Sequence, residues 1–108
     1  MAKYSLSNCS ILELVEFLQR EHAERIYLEV GSQPSLTIKG QMFAIDGPVM
    51  DVEAALTLIR AVADTRQMRT FWKSSCVDVL SKISNPPVLI HVVGSIGHLS
   101  IEVQPVKS

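Results

Sequence analysis

The sequence predicts an antiparallel α+β domain in the order α-β-β-β-α-α-β-β-β. Apolar residues recur every three or four positions in three segments and at every second position in most of the others, as helices and half-buried strands require. The last two segments also divide into an apolar and a polar face, which is typical of an antiparallel sheet covered on one side. With 108 residues, 47% of them hydrophobic and 19% charged, the chain can form one globular domain. The structured part of this domain is expected to span about residues 10–106.

A first helix is predicted from Ser10 to Ala23. Ser10 followed by Glu13 has the spacing of a capping box, in which the two side chains satisfy backbone N–H groups at a helix start. The residues that follow place one apolar stripe at helical spacing: Ile11, Leu14, Val15 and Leu18. Residues 1–8 are expected to be a short polar lead.

Three short strands follow, at Arg25–Val30, Ser35–Lys39 and Gln41–Ile45. Turn residues separate them, so we assign turn roles to three positions: Gly31, Pro34 and Gly40. The Lys39-Gly40 dipeptide predicts a tight hairpin, and residues 46–48, Asp-Gly-Pro, end the meander.

Two helices are predicted next. Asp51 is an N-cap for a helix over Val52–Ala63, and Thr65 is expected to cap a shorter helix that carries Met68, Phe71 and Trp72. Because the two aromatic residues follow Met68 at i+3 and i+4, both can lie against the sheet, and burial of at least one of them is expected. The alternative is that they are exposed and anchor a partner.

The closing segment predicts a strand over Cys76–Ile83, a break at residues 85–87, Asn-Pro-Pro, and a hairpin of Val88–Val93 with His98–Val103. If residues 94–97 form its turn, Val93 lies opposite His98 and His91 opposite Ser100. The apolar face of this hairpin then comprises Ile90, Val92, Leu99, Ile101 and Val103. The other face, with His91, Val93, His98, Ser100 and Glu102, is expected to be hydrated or covered by a partner.

Charge and cysteine content exclude several classes of protein. Ten Lys and Arg residues against 11 Asp and Glu provide no field that would attract nucleic acid. The longest apolar run, Val88–Val93, is only strand-length, so no membrane insertion is expected. Cys9 and Cys76 lie far apart with no C-x-x-C spacing or signal peptide, which favours two buried thiols in a reducing cytoplasm over a disulfide.

No local catalytic motif is present in the sequence: it contains neither a phosphate-binding loop nor a nucleophile elbow nor H-E-x-x-H. A helix dipole could activate Cys9, but a lone cysteine near the N-terminus favours no catalytic role. His91, His98 and Glu102 could form a surface zinc site if the two histidines were diagonal neighbours in the hairpin. Exposed polar alternation explains the same residues, so we expect no metal, no cofactor and no catalytic residue.

The segment from Glu24 to Met42 resembles a block in the N-terminal domain of PilT-type ATPases, the type IV pilus retraction motors within the type II/IV secretion ATPases. Gly31 and Pro34 stand at the matching positions of its Gly-x-x-Pro, Gly40 at that of its later Gly, and Met42 at that of the hydrophobic residue two positions further on. The resemblance extends over about residues 10–106 in the order of elements. It implies a PAS-like fold, with helices packed on one face of a sheet of about six strands.

The departures from that family bear on function. Tyr27 stands where the family carries His, and Thr37 where it carries Arg. Arginines in the closing strands of the family reach nucleotide bound to the ATPase core, whereas Val88–Pro105 contains none. The chain ends at Ser108, near where the family's linker to the phosphate loop begins. The resemblance therefore implies that this chain alone does not hydrolyse ATP.

The expected function is that of a non-enzymatic interaction or regulatory domain in a bacterial pilus (twitching motility) or secretion system. Its partner would be a pilus or secretion ATPase, or further copies of itself. The expected partner surface comprises Tyr27, His91, His98, Ser100 and Glu102. Two alternatives are a PAS-like sensory domain holding a small ligand between sheet and helices and an enzyme of unrecognised type.

Overall fold

The structure, a computed structural model, describes residues 4–5, 10–47, 49–82, 87–95 and 98–106. Its elements are β1 (Tyr4–Ser5), α1 (Ile11–Arg20), β2 (Arg25–Glu29), β3 (Ser35–Ile38), β4 (Gln41–Asp46), α2 (Val52–Val62), α3 (Thr65–Ser74), β5 (Cys76–Ser81), β6 (Val88–Ser95) and β7 (His98–Pro105). The predicted α+β class and the order of nine elements are confirmed, and β1 precedes them.

The strands form one sheet in the order β1-β4-β3-β2-β7-β6-β5. The six predicted strands are antiparallel to one another wherever they pair, and β1 adds a parallel pairing at the far side of β4. Each half of the chain contributes a three-stranded meander, and the β2–β7 ladder joins the two meanders through pairs such as Ile26 with Val103. The middle of the sheet is therefore made by strands that are distant in sequence.

The expectation of a polar lead at residues 1–8 is wrong at β1. Tyr4 and Ser5 pair in parallel with Ile45 and Asp46, at the outer edge of β4. The Tyr4 side chain is only 8% exposed and its ring lies 6.1 Å from Phe17 and 5.6 Å from Phe43, measured between ring centroids. The ring of Tyr4 thus packs between α1 and β4, in a strand that is too short to show periodicity.

Polar side chains cap the three helices. Ser10 accepts a hydrogen bond from the Glu13 N–H, and Asp51 accepts one from the Ala54 N–H at 2.7 Å. The predicted cap of α3 is wrong by one residue, because Asp64 rather than Thr65 accepts from the Gln67 N–H while the Gln67 side chain accepts from the Asp64 N–H. Such reciprocal bonds form a capping box.

The first helix ends before its predicted end at Ala23. Its last residue is Arg20, and two residues later His22 has a φ of 53°, which a right-handed helix cannot accommodate. The chain then enters β2 at Arg25. The apolar stripe predicted for α1 is confirmed, and Phe17 joins it in the core.

The core lies on one face of the sheet, which we call the inner face. Helix residues such as Leu14 and Ile59 join strand residues such as Ile26, Val79 and Ile101 in one buried cluster. The expectation that at least one of the two aromatic residues is buried is confirmed by Phe71, whereas Trp72 is 49% exposed and does not lie against the sheet. One residue further along a helix turns the side chain by about 100°, so the Met68–Phe71 line faces the core and Trp72 does not.

The predicted register of the last hairpin is wrong by two residues. His91 lies opposite Glu102, Val93 opposite Ser100 and Ser95 opposite His98, so β6 continues through Gly94. The φ of Gly94 is 119°, and its N–H donates to the Ser75 carbonyl at 2.9 Å. A shift of two residues leaves the faces unchanged, and the five predicted inner residues of this hairpin are all buried.

The predicted turn residues lie between strands. Lys39 and Gly40 have φ values of 51° and 77°, as the two-residue turn of a twisted hairpin requires. Gly31 has a φ of 87°, and the Pro34 carbonyl accepts from the Ile45 N–H. The expected burial of Cys76 is wrong, because its free thiol lies on the outward side of β5 and the residue is half-buried. Predictions for Cys9, Pro48, Ile83, residues 85–86 and residues 96–97 lie outside the described residues. Within the described ranges, no helix is both long and apolar enough to cross a membrane.

Candidate functional site

The sheet face opposite the helices, which we call the outer face, is the candidate functional site. Strand alternation places every second residue there, and on β2, β5, β6 and β7 these residues are half-buried or exposed. No helix in the described part of the chain covers them, since the buried stripes of α1, α2 and α3 join the inner-face cluster. This face is therefore the broad surface on which a partner can pack.

Four side chains form a line across the outer face, one from each of four adjacent strands. Tyr27 of β2 lies opposite Glu102 of β7, Glu102 opposite His91 of β6, and His91 opposite Asp78 of β5. We call this line the polar row. Directly opposite residues of antiparallel strands have Cβ atoms about 5 Å apart, so the row brings a phenol, an imidazole and two carboxylates together.

Contacts within and beside the polar row hold its side chains in place. His91 Nδ1 is in direct contact with Asp78 Oδ1. Arg25 Nη1 lies 3.2 Å from Glu102 Oε1, and the Tyr27 hydroxyl donates to Glu29 Oε2 at 3.0 Å. Each side chain of the row thus has a polar partner, in three separate pairs.

A shallow depression of about 240 Å³ opens beside the polar row. Its walls are Tyr27, His91, Val93, Ser100 and Glu102. Ser100 is the smallest of these side chains and lies between the larger residues, which leaves the space. The mixture of an aromatic ring, an aliphatic side chain and a carboxylate suits a protruding side chain of a partner protein.

Four of the five residues predicted for the partner surface, Tyr27, His91, Ser100 and Glu102, come together here. His98 does not, because its partner Ser95 is four residues from His91 along β6, a distance of about 13 Å. The predicted diagonal contact between the two histidines is therefore wrong. The weak metal candidates His91, His98 and Glu102 do not converge, and among the described residues no group of three His, Cys, Asp or Glu is placed to hold a metal ion.

Sequence reasoning missed Asp78, Arg25 and Glu29 as members of this surface. The alternation of β5 already placed Asp78 on the side opposite Val77 and Val79. What was missing was the strand order, because only the β5–β6 and β2–β7 pairings bring these side chains next to His91 and Glu102.

Comparisons with known proteins identify the fold. No protein-family model and no curated protein sequence matches this chain. Among solved structures, the pilus retraction motor PilT with bound ADP matches with a TM-score of 0.77 and 16% identity. The match covers 94% of this chain and 30% of that one.

A second solved structure, the ATPase DotB of Legionella pneumophila, matches with a TM-score of 0.77 and 9% identity over 96% of this chain and 31% of its own. The resemblance to PilT-type proteins predicted from Gly31, Pro34, Gly40 and Met42 is thereby confirmed at the level of the fold. This chain has the fold that makes up about 30% of the motor PilT and of the ATPase DotB.

Proposed function

We propose that this chain is a non-catalytic interaction domain of a bacterial pilus or secretion system and acts in the cytoplasm. The observation that carries the proposal is the pair of matches to a retraction motor and an ATPase, each over nearly all of this chain but under a third of its own length. A domain that accompanies an ATPase can assemble with it or regulate it without carrying out chemistry.

The outer face is the surface that we assign to docking. It combines a side-chain-sized depression with the polar row, and Val93 and Leu80 add exposed apolar area at 40% and 50% exposure. Apolar anchors surrounded by polar groups are the usual composition of a protein interface. The partner that fits the comparisons is a pilus or secretion ATPase encoded in the same genome.

A titration of this chain with that ATPase tests the proposal, and a matched pair of variants locates the surface. Ser100→Arg fills the depression, while the new guanidinium can pair with Glu29, which lies directly opposite Ser100. Ser32→Arg makes the same chemical change at an exposed bend outside the sheet. We expect the first variant to weaken binding at least tenfold, which corresponds to about 1.4 kcal/mol, and the second to bind as the unchanged chain does.

Three results would contradict the proposal in different ways. Equal binding by both variants would show that the docking surface is not the outer face. Absence of binding by the unchanged chain would overturn the interaction itself. We expect no ATP binding by the isolated chain in isothermal titration calorimetry. Binding of ATP at micromolar concentration would contradict a non-catalytic role. A small molecule retained in native mass spectrometry would instead support the sensory alternative.

A further inference from the structure

The two edges of the sheet differ. At one edge, the two residues of β1 pair with Ile45 and Asp46 at the end of β4. At the other edge lies β5, and no strand among the described residues pairs with its far side. Open edges expose rows of unpaired N–H and C=O groups, which proteins usually protect with lysine, proline, bulges or short strands. The six residues of β5 contain neither lysine nor proline and pair with β6 without a bulge.

The hydrogen bonds around β5 show which of its backbone groups face outward. The Gly94 N–H donates to the Ser75 carbonyl, and Cys76 lies opposite Val93, so the Ser75–Gly94 position is a hydrogen-bonded one. Such positions alternate along an antiparallel pair. Val77, Val79 and Ser81 therefore bond to β6, whereas the N–H and C=O groups of Cys76, Asp78 and Leu80 point away from the sheet.

The sequence of β5 is compatible with pairing to a second copy of itself. In an antiparallel pair related by a two-fold axis, the outward residues must bond to one another. If Asp78 were opposite Asp78 of the other copy, two like charges would face each other, which destabilises a sheet. A register centred on Val79 instead places Asp78 opposite Leu80 of the other copy, with two such pairs related by the axis.

Charge also favours the register centred on Val79 over the one centred on Asp78. A register centred on Leu80 would place Asp78 opposite Lys82, but it would leave Cys76 and Val77 without partners among the described residues. With Val79 at the centre, Lys82, which is exposed and follows β5 directly, becomes a diagonal neighbour of Asp78 in the other copy. The two-fold axis generates two such pairs of Asp78 with Lys82. It brings the two Asp78 residues together as diagonal neighbours only once, so attraction outweighs repulsion. Leu80, at 50% exposure, loses solvent contact in this pairing.

We propose that β5 pairs with β5 of a second copy in antiparallel register about Val79, which joins the two sheets into one. This pairing does not depend on the proposed docking at the outer face. A ladder of this length buries less than a standard interface of about 1,600 Å², so the dimer forms reversibly and its fraction rises with concentration.

Sedimentation equilibrium over a wide concentration range tests the dimer, with Leu80→Pro and Leu80→Ala as a matched pair. Proline removes the outward N–H of residue 80 without removing a bond to β6, and edge strands tolerate it at such positions. We expect Leu80→Pro to remain monomeric and Leu80→Ala to retain dimers. A chain that stays monomeric up to millimolar concentration would overturn the proposal.

A charge exchange keeps the test independent of any strain from proline. Asp78→Lys places two lysines near each other across the axis and is expected to abolish the dimer. The double variant Asp78→Lys, Lys82→Asp restores opposite charges and is expected to restore the dimer. Both variants lose the contact with His91, so that loss cannot explain a difference between them. Equal association of both variants would exclude this register.

Hydrogen exchange measured by NMR identifies the edge directly. The amides of Cys76, Asp78 and Leu80 should gain protection as the concentration rises, while those of Val77, Val79 and Ser81 should be protected throughout. A dimer that leaves the first three amides unprotected would place the interface elsewhere and overturn the proposal.

Discussion

Gly94 is the residue at which the pairing of β6 with β7 depends on the absence of a side chain. Its φ of 119° lies in a region that side chains rarely adopt, and a Cβ atom there would be 2.0 Å from the His98 carbonyl oxygen. Because Gly94 lies opposite Leu99 in the last hairpin, its lack of a side chain lets β6 and β7 continue to a connection of only two residues.

Gly94→Ala is expected to lower the free energy of unfolding by about 3 kcal/mol, from backbone strain combined with the clash. Gly31→Ala is the matched control, because Gly31 also has a positive φ, of 87°, but nothing lies within 4 Å of its added Cβ. Strain alone should cost about 1 kcal/mol there. Urea denaturation of both variants measures the difference, and equal losses would mean that the close approach at Gly94 is relieved by movement.

The outer-face residues show what alternation in a sequence can and cannot predict. Tyr27, His91, Ser100 and Glu102 were assigned correctly to one surface, because a period of two fixes the face of a residue even when the register is displaced by two. The neighbours of His91 could not be assigned in the same way. Its contact with Asp78 depends on β5 lying beside β6, which is a property of the strand order.

At the scale of elements, the helices were predicted well because their signals are local. An N-cap and an apolar stripe lie within a few residues of each other, so Ser10 and Asp51 could be identified directly. Asp64 and Thr65 are both good caps, and only the reciprocal bonds with Gln67 decide between them. The strand β1 had no local signal, since its place depends on rings of α1 and β4.

Removal of the Tyr4 ring tests whether β1 belongs to the folded core. Tyr4→Ala is expected to cost about 3 kcal/mol, because a buried ring between two others is lost and a cavity remains. Leu12→Ala provides the comparison, since Leu12 is an exposed apolar residue of α1 and should change stability by less than about 0.5 kcal/mol. Thermal and urea denaturation give both values. Similar small effects for the two variants would mean that β1 contributes nothing to stability.

At the scale of the whole molecule, a single core connects the two meanders. Leu28 in the first lies directly opposite Ile101 in the second, and both are fully buried. The buried residues of both halves and of all three helices form one cluster. Among the described residues, the core shows no boundary between the two halves, so we expect them to unfold together.

Leu28→Ala is expected to destabilise both halves together, by about 3 kcal/mol. Fluorescence of Trp72 reports on α3, which belongs to the second half, while far-ultraviolet circular dichroism reports on the whole chain. The two urea transitions should shift by the same amount and remain superimposed, as a two-state domain requires. A Trp72 transition that stays at its original midpoint would show that the halves unfold separately.

The ladder between β2 and β7 also determines when the sheet can be completed during synthesis. Each meander can form from neighbouring segments, but Ile26 must wait for Val103, which is near the other end of the chain. Closing so long a loop is entropically costly, and folding through distant contacts is slow. A nascent chain therefore presents the free edge of β2, with Ile26 and Leu28 still lacking their partners on β7, until translation reaches the last strand. During that interval the first meander is the part of this protein most exposed to wrong pairing.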